Sequence, residues 1–479
     1  LNRVDNSTSF ILRSGRVVTP EGVRDAAIVV FEGVIVGIEN PRDISVNGKL
    51  KIEDVGNFVV SPGLVDPHVH INEPGRTEWE GFETATRAAA AGGVTTLVDM
   101  PLNSSPVTTS VDAFQKKLDA ARGKLQVDVG FHAGLVPQNA SELKPLLSSG
   151  VLGVKAFTIH SGIDDFPATT EADFRKAMSA IAESGLPLLV HAELSSSLPS
   201  QALSEAKSLS ALRSGDTLPA RLTSASEAGG RSAQGFVNSR PREWENDAIA
   251  LMIRLCKEYR CRVHIVHVSS SDAILLLRDA KAAGLPITAE TCPHYLYFNA
   301  EEISDGDTRF KCAPPIRERD NNERLWDALR QGVLDFIASD HSPCPPAMKL
   351  LSKGDFTKAW GGISSLQFGL SIIWTEARKR GFVYSDLSRW MSANPAQLVG
   401  LESRKGKITE GFDADFVVWN PDESFVVEPS MIHHRHKLTP YEGRTLFGKV
   451  YATYLRGEKI FVHGKFLQPS GEVLLRTKT

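Results

Sequence analysis

The architecture can be read from one stretch, residues 61–101: SPGLVDPHVHINEPGRTEWEGFETATRAAAAGGVTTLVDMP. Residues 64–70 form a short apolar run between Pro62-Gly63 and Glu73-Pro74-Gly75, which reads as a buried strand running into a loop. Residues 81–91 carry an alanine-rich helical pattern, stopped by Gly92-Gly93, and 94–100 are a second apolar run. Strand, helix and strand in that order make a βαβ unit, the building block of a parallel sheet or barrel.

The first strand ends in a HxH pair, His68 and His70. Side chains alternate along a strand, so both rings point to one side at its C-terminal end. That placement suits a single metal ion whose other ligands come from elsewhere in the fold. The plain alternative is two ordinary histidines at a strand end.

The same alternation continues along the chain. Further apolar runs lie at 127–132, 151–157, 188–193, 262–268, 287–291 and 334–339, with helical patterns at 111–122, 140–147, 171–183, 243–259, 271–283 and 321–331. Eight strands alternating with helices predict a (β/α)₈ TIM barrel over 59–400. An open doubly wound sheet is disfavoured because no GxGxxG turn follows the first strand. Both chain ends have a different texture: short β-branched runs joined by glycine turns, at 10–38 and again at 407–419, 449–455 and 459–463. We therefore expect 1–58 and 401–479 to combine into one small β-sandwich-like domain.

Two stretches interrupt the pattern. Residues 194–240 are rich in Ser, Ala and Gly and read as an insertion with some helix and a mobile part; 344–362, after the eighth strand, is placed to cover a barrel mouth.

Composition narrows the class of function. With 42% hydrophobic and 23% charged residues in 479, the chain can build a large core. A net charge of -3 offers no footprint for nucleic acid or an anionic membrane. Five cysteines without a CxxC pair argue against a disulfide framework and for a reducing, cytoplasmic setting. Because the chain starts at Leu1 rather than a methionine, that expectation covers these residues only.

In a barrel the chemistry lies where strands end. Those ends supply His68 and His70 from strand one, Lys155 from strand four, His191 from strand five, His267 from strand six and Asp340 from strand eight. Lys155 sits in VLGVKAF, where a bare ammonium is costly to bury. A lysine kept neutral by burial can react with carbon dioxide to give a carbamate, whose two oxygens can bridge two cations. In the run HIVH, His264 and His267 fall on opposite faces by strand parity, and His267, nearer the strand end, is chosen as the one facing the site. By the same rule His341 points away from Asp340. His132 is read as structural, and His433, His434 and His436 as part of a solvated connection.

With these positions filled, the chain resembles the amidohydrolase superfamily, and within it the cyclic amidases: the allantoinase, dihydroorotase and dihydropyrimidinase (hydantoinase) families. The segments HINEPGRTEWEGFETATRAAAAGG, DMPLNS, ETCPHYL, KCAPPIR, SDHSPCPP and KAWGGISSLQ are most similar, in wording and order, to the allantoinase family. The positions that hold a substrate carboxylate in dihydroorotases carry Asn72, Leu102 and Cys344 here, none of them a cation, which favours a neutral ring such as allantoin.

The resemblance implies two divalent ions, most often Zn²⁺, bridged by Lys155 as N6-carboxylysine. His68, His70 and Asp340 would hold one ion, His191 and His267 the other. A hydroxide shared by the ions would open the ring to allantoate with Asp340 as general base. It also implies a homotetramer. For substrate contacts we expect Ser342, Asn103 and backbone groups at Cys292 and Pro314. The alternatives are a hydantoinase or dihydropyrimidinase acting on another neutral cyclic ureide, or a non-catalytic scaffold, which the filled ligand positions disfavour.

Overall fold

In a computed structural model of the chain, residues 8–44, 50–195 and 232–476 are described. Much of the expected insertion, 196–231, lies outside them; its far end is a helix at Ala233–Ser239 capped by Ser232.

Two sheets organise the molecule. The first is built from both chain ends: β1 (Phe10–Thr19), β2 (Gly22–Phe31), β3 (Val34–Glu39), β4 (Lys51–Asp54) and β5 (Val59–Pro62). The second is the barrel: β6 (Leu64–Val69), β7 (Val94–Asp99), β8 (Asp128–Gly134), β9 (Gly153–Phe157), β10 (Leu188–His191), β11 (Val263–Ile265), β12 (Ile287–Thr291) and β13 (Phe336–Ile337). The chain then returns to the first sheet with β14 (Phe416–Val426), β15 (Thr445–Leu455), β16 (Glu458–Val462) and β17 (Lys465–Phe466).

The barrel strands follow one another in sequence order, all parallel. Closure between the last and the first comes from a parallel bridge between Val69 and His341 and from the Asp66 carboxylate, which accepts the Ser339 N–H. Helices follow the strands as expected at Phe82–Ala91, Val111–Ala121, Glu171–Ser184, Arg242–Tyr259, Ile274–Ala282 and Arg319–Arg330. The helix predicted over 140–147 shrinks to Lys144–Leu147, with Pro145 in its first turn.

The period-two reading of the strands holds where it matters. Val154, Ala156, Leu188 and Val190 join the large core under the helices, while Lys155, between the first two, and His191 line the cavity.

The small unit is a single nine-stranded sheet, ordered β17-β16-β15-β14-β5-β1-β2-β3 with β4 beside β1. It encloses a core of its own that includes Leu12, Ile28, Val60, Phe416 and Tyr454. Residues 59–62, expected inside the barrel segment, pair instead with β1 and β14, and the barrel starts at Leu64. Short β5 lies between two strands of this sheet, so ladder bonds on both sides hold it there.

Candidate active site

The barrel mouth opens on a cavity of about 370 Å³. His68, His70, Lys155, His191, His267 and Asp340 all line it, so the structure brings the six expected ligand residues together from five strand ends. The loop after β13 forms part of the wall through Ser342 and residues 357–362, as its position in the sequence suggested. Gly362 is needed there, because a Cβ would fall 2.3 Å from the Ser342 carbonyl oxygen.

His68 Nδ1 lies 2.5 Å from Glu290 Oε1, and His70 Nδ1 lies 2.7 Å from the Leu102 carbonyl. A carbonyl can only accept, so His70 carries its proton on Nδ1 and turns the Nε2 lone pair outward. The two Nε2 atoms converge on Asp340 Oδ1, at 3.3 and 3.6 Å. These three groups can hold one cation. On the other side, His191 Nε2 lies 2.7 Å from Glu193 Oε2, leaving Nδ1 as its free donor atom, and the His191 and His267 rings are 4.5 Å apart. Lys155 is fully buried between the two groups, its Nζ 4.9 Å from the Phe157 ring centroid.

The electrostatics of this cluster fit a bound cation. Among the described residues Lys155 Nζ, His68 Nε2 and His267 Nδ1 are buried with no hydrogen-bond partner, an uncommon state for polar atoms. Burial pushes Asp340 up to about 8, against the pull of Lys155, and pushes Lys155 down to about 8, against the pull of Asp340 and Glu290. Burial also takes His70 down to about 3 and His68 and His267 well below their usual value, so the imidazoles stay neutral and able to donate lone pairs. A site with neutral imidazoles and carboxyl groups that lack a counter-charge is one that a divalent ion would complete.

Two of the expected ligand residues have left-handed backbones, His267 at φ 41° and Asp340 at φ 43°. Such conformations cost about 1–3 kcal/mol in side-chain-bearing residues and concentrate at functional sites. They also correct the parity expectation for strand six. His264, expected to face away, points into the barrel, with Nε2 3.0 Å from Glu290 Oε2 and Nδ1 2.8 Å from Thr288 Oγ1. The strand ends at Ile265, so the alternation does not reach His267, which enters the site through its positive φ.

His341 points away from Asp340, as expected, with Nε2 3.7 Å from Glu80 Oε2. His132 is buried, with Nε2 2.9 Å from the Pro67 carbonyl, and is absent from the cavity wall. The solvated reading of the 433–436 stretch fails for His434, which is completely buried, its ring 5.5 Å from that of His341. His436 is half-buried and bonds the Glu78 carbonyl.

Of the expected substrate contacts, Ser342 and Asn103 line the cavity. Cys292 is fully buried behind it, and the Pro314 carbonyl already accepts the Tyr295 hydroxyl. Sequence reasoning overlooked the carboxylates that hold the ligands. Glu290 serves His68 and His264, and Glu193 serves His191. Burial alone would raise Glu193, yet the Arg240 guanidinium, at 2.7 and 3.0 Å, and His191 hold it down at about 2. A charge inside an apolar run marks Glu290 in ITAET just as it marks Lys155.

A sequence model of the amidohydrolase family matches residues 59–460, which spans the barrel and the returning β strands. The chain belongs to that family. Amidohydrolase relatives similar to it include a Streptomyces avermitilis protein named allantoinase, 48% identical over 98% of this chain and 99% of its own. An Arabidopsis thaliana protein named allantoinase is 44% identical over 95% of this chain and 88% of its own. Among solved structures, L-hydantoinase (dihydropyrimidinase) from Arthrobacter aurescens superposes with a TM-score of 0.85 at 30% identity, covering 98% of this chain and 100% of that one. The family and this neighbour imply a divalent metal centre, and the His68, His70 and Asp340 cluster is a place that could hold it.

Proposed function

We propose that the chain hydrolyses the cyclic amide of allantoin to give allantoate, with Asp340 as general base. The observation that carries the mechanism is the convergence of His68 Nε2 and His70 Nε2 on Asp340 Oδ1 beside the buried, unpartnered Lys155 amine. The substrate follows from relatives named allantoinase at 38–48% identity over nearly the whole chain, against 30% for the hydantoinase neighbour. The hydantoinase alternative is correspondingly less favoured.

In this reading His68, His70 and Asp340 together with His191, His267 and Lys155, carboxylated on Nζ, would hold two divalent ions, most often Zn²⁺. The two ions would polarise the ring carbonyl and bring the pKa of the attacking water from 15.7 to about 7. Asp340 takes the proton of that water through a carboxylate oxygen and returns it to the departing ring nitrogen. Glu290 and Glu193 fix the rings of His68 and His191 so that their free nitrogens face the centre. Ser342 and Asn103, both on the cavity wall, orient the ring.

Two cations of the cavity wall are already engaged. Arg240 is committed to Glu193, and Lys311 donates to the Thr357 and Ala359 carbonyls at 3.1 and 2.5 Å. Neither is left unpaired to meet a carboxylate. The same reading divides the chain into a catalytic segment 64–400 and a small unit from the residues before it, β5 included, and 401–479. It also includes a homotetramer, on family resemblance, and a cytoplasmic location, on cysteine usage. All five cysteines are buried free thiols, and no helix among the described residues is long and apolar enough to cross a membrane.

The test is allantoate formation by purified protein supplied with zinc and bicarbonate, with wild type and Lys155→Ala side by side. Wild type is expected to turn over allantoin, and Lys155→Ala to lose activity that a short carboxylic acid partly restores. A fully metallated wild type that ignores allantoin and opens hydantoin or dihydrouracil would overturn the substrate assignment.

A further inference from the structure

Next to Asp340, Cys292 follows β12 and His294 lies in the short helix Pro293–Tyr297 that Cys292 begins. The Cys292 thiol, a His294 ring nitrogen and an Asp340 carboxylate oxygen lie within 4.8 Å of one another. Ring opening employs neither the Cys292 thiol nor His294. Both residues are completely buried, whereas Asp340 is 7% exposed and forms part of the cavity wall. Both ring nitrogens of His294 lack a hydrogen-bond partner among the described residues. A buried imidazole with neither nitrogen satisfied has lost its bonds to water without replacing them, so it calls for a ligand.

We propose that Cys292, His294 and Asp340 form an additional, inhibitory cation site that takes thiophilic divalent ions. Thiolate, imidazole and carboxylate together are a donor set for zinc and softer cations, and not for magnesium or calcium. Bonds of about 2.0–2.3 Å in a tetrahedral arrangement place ligand atoms roughly 3.3–3.8 Å apart, a contraction of an ångström or so from the limit seen here. Burial keeps the His294 imidazole neutral, ready to donate a lone pair. The Cys292 thiol loses its proton to solvent as the metal–sulfur bond forms. The ion enters past Asp340, the one member of the triad on the cavity wall.

Asp340 connects this site to the catalytic centre. A cation held by Cys292 and His294 occupies a carboxylate oxygen of Asp340 and leaves it unable to accept a proton. Excess thiophilic metal therefore inhibits without displacing the catalytic ions. That consequence rests on the proposed role of Asp340, whereas the binding itself does not.

The experiment titrates Cd²⁺ into protein already carrying two equivalents of zinc. Bound cadmium, released zinc, the ultraviolet cadmium–thiolate absorption and allantoin turnover are followed together. Wild type is expected to take up a third equivalent with a thiolate band, retain its zinc and lose turnover at least tenfold. Cys292→Ser is expected to lose the band, and His294→Gln to bind cadmium at least tenfold more weakly. The serine variant is nearly isosteric, so it decides the matter even if the histidine variant does not fold.

A wild type without a thiolate band while zinc is retained overturns the site. The same band persisting in Cys292→Ser also overturns it, since the sulfur would then belong to another thiol such as neighbouring Cys312. A band that depends on Cys292 but leaves turnover unchanged overturns the inhibitory site, since the cation would then bind without engaging Asp340.

Discussion

Glu290 shows what a single residue contributes to this centre. Its two oxygens meet His68 Nδ1 at 2.5 Å and His264 Nε2 at 3.0 Å, and burial pushes it up to about 8. Carboxylates that hold a metal-ligating histidine typically govern affinity by 10–100-fold. Glu290→Gln is therefore expected to weaken metal binding by one to two orders of magnitude in a chelator competition, with the fold kept. Unchanged affinity would show that His68 is oriented by packing alone. The residues that line the cavity were legible because titratable side chains stand out at the ends of apolar strands. Their carboxylate partners required knowing which strands face each other across the barrel, and Glu290 lies 222 residues from His68.

At the scale of elements, the helix Glu171–Ser184 starts with a capping box between Thr170 and Asp173, a pattern visible in the sequence. Its first residue also ties it to a neighbour. Glu171 accepts two bonds from Arg254, at 2.8 and 3.0 Å, on the helix Arg242–Tyr259, and one from Arg175 at 2.9 Å. Side-chain hydrogen bonding from Arg254 takes Glu171 down to about 2 from its ordinary 4.5. A depressed carboxyl pKa adds stability that is present above 4.5 and lost as pH falls toward 2. The pair is partly exposed, so solvent screening holds its worth to about 0.5–1 kcal/mol. Glu171→Gln should lower the denaturation midpoint slightly at pH 7 and make no difference near pH 2, which urea titrations at the two pH values would reveal. An effect that is the same at both would mean the charge is irrelevant. Helix starts and strand periods are local properties and could be predicted. The failure at His264 came where a strand stops after three residues, and the sequence does not announce that end.

For the whole molecule, the barrel and the small unit are joined at a buried ionic centre. Lys405 Nζ lies 2.8 Å from Asp128 at the start of β8, 2.7 Å from Asp415 and 3.1 Å from Asp413. Arg456, beyond β15, also pairs with Asp128 at 2.6 Å. Lys405 is 1% exposed, and three carboxylates hold its ammonium charged in spite of burial. Removing one partner of such a cluster strands the others, at a cost of about 3–5 kcal/mol. Lys405→Met should reduce thermal stability by that amount or leave little folded protein, as differential scanning calorimetry would show. A loss below about 1 kcal/mol would mean the two units are held by apolar contact alone, for example at Gly93, where a Cβ would sit 2.4 Å from Val417 Cγ2.

By itself, the sequence of this protein determined the eight-fold alternation of strand and helix, the β-rich ends and the residues able to hold metal. Periodicity and the cost of burying charge are local, and each can be read from a few neighbouring residues. Only the tertiary structure decided that β5 belongs to the small sheet, that His264 and His434 are buried, and that Glu290, Glu193 and Lys405 complete their clusters. Each of those depends on contacts between residues far apart in the chain, and such distances are fixed when the barrel closes.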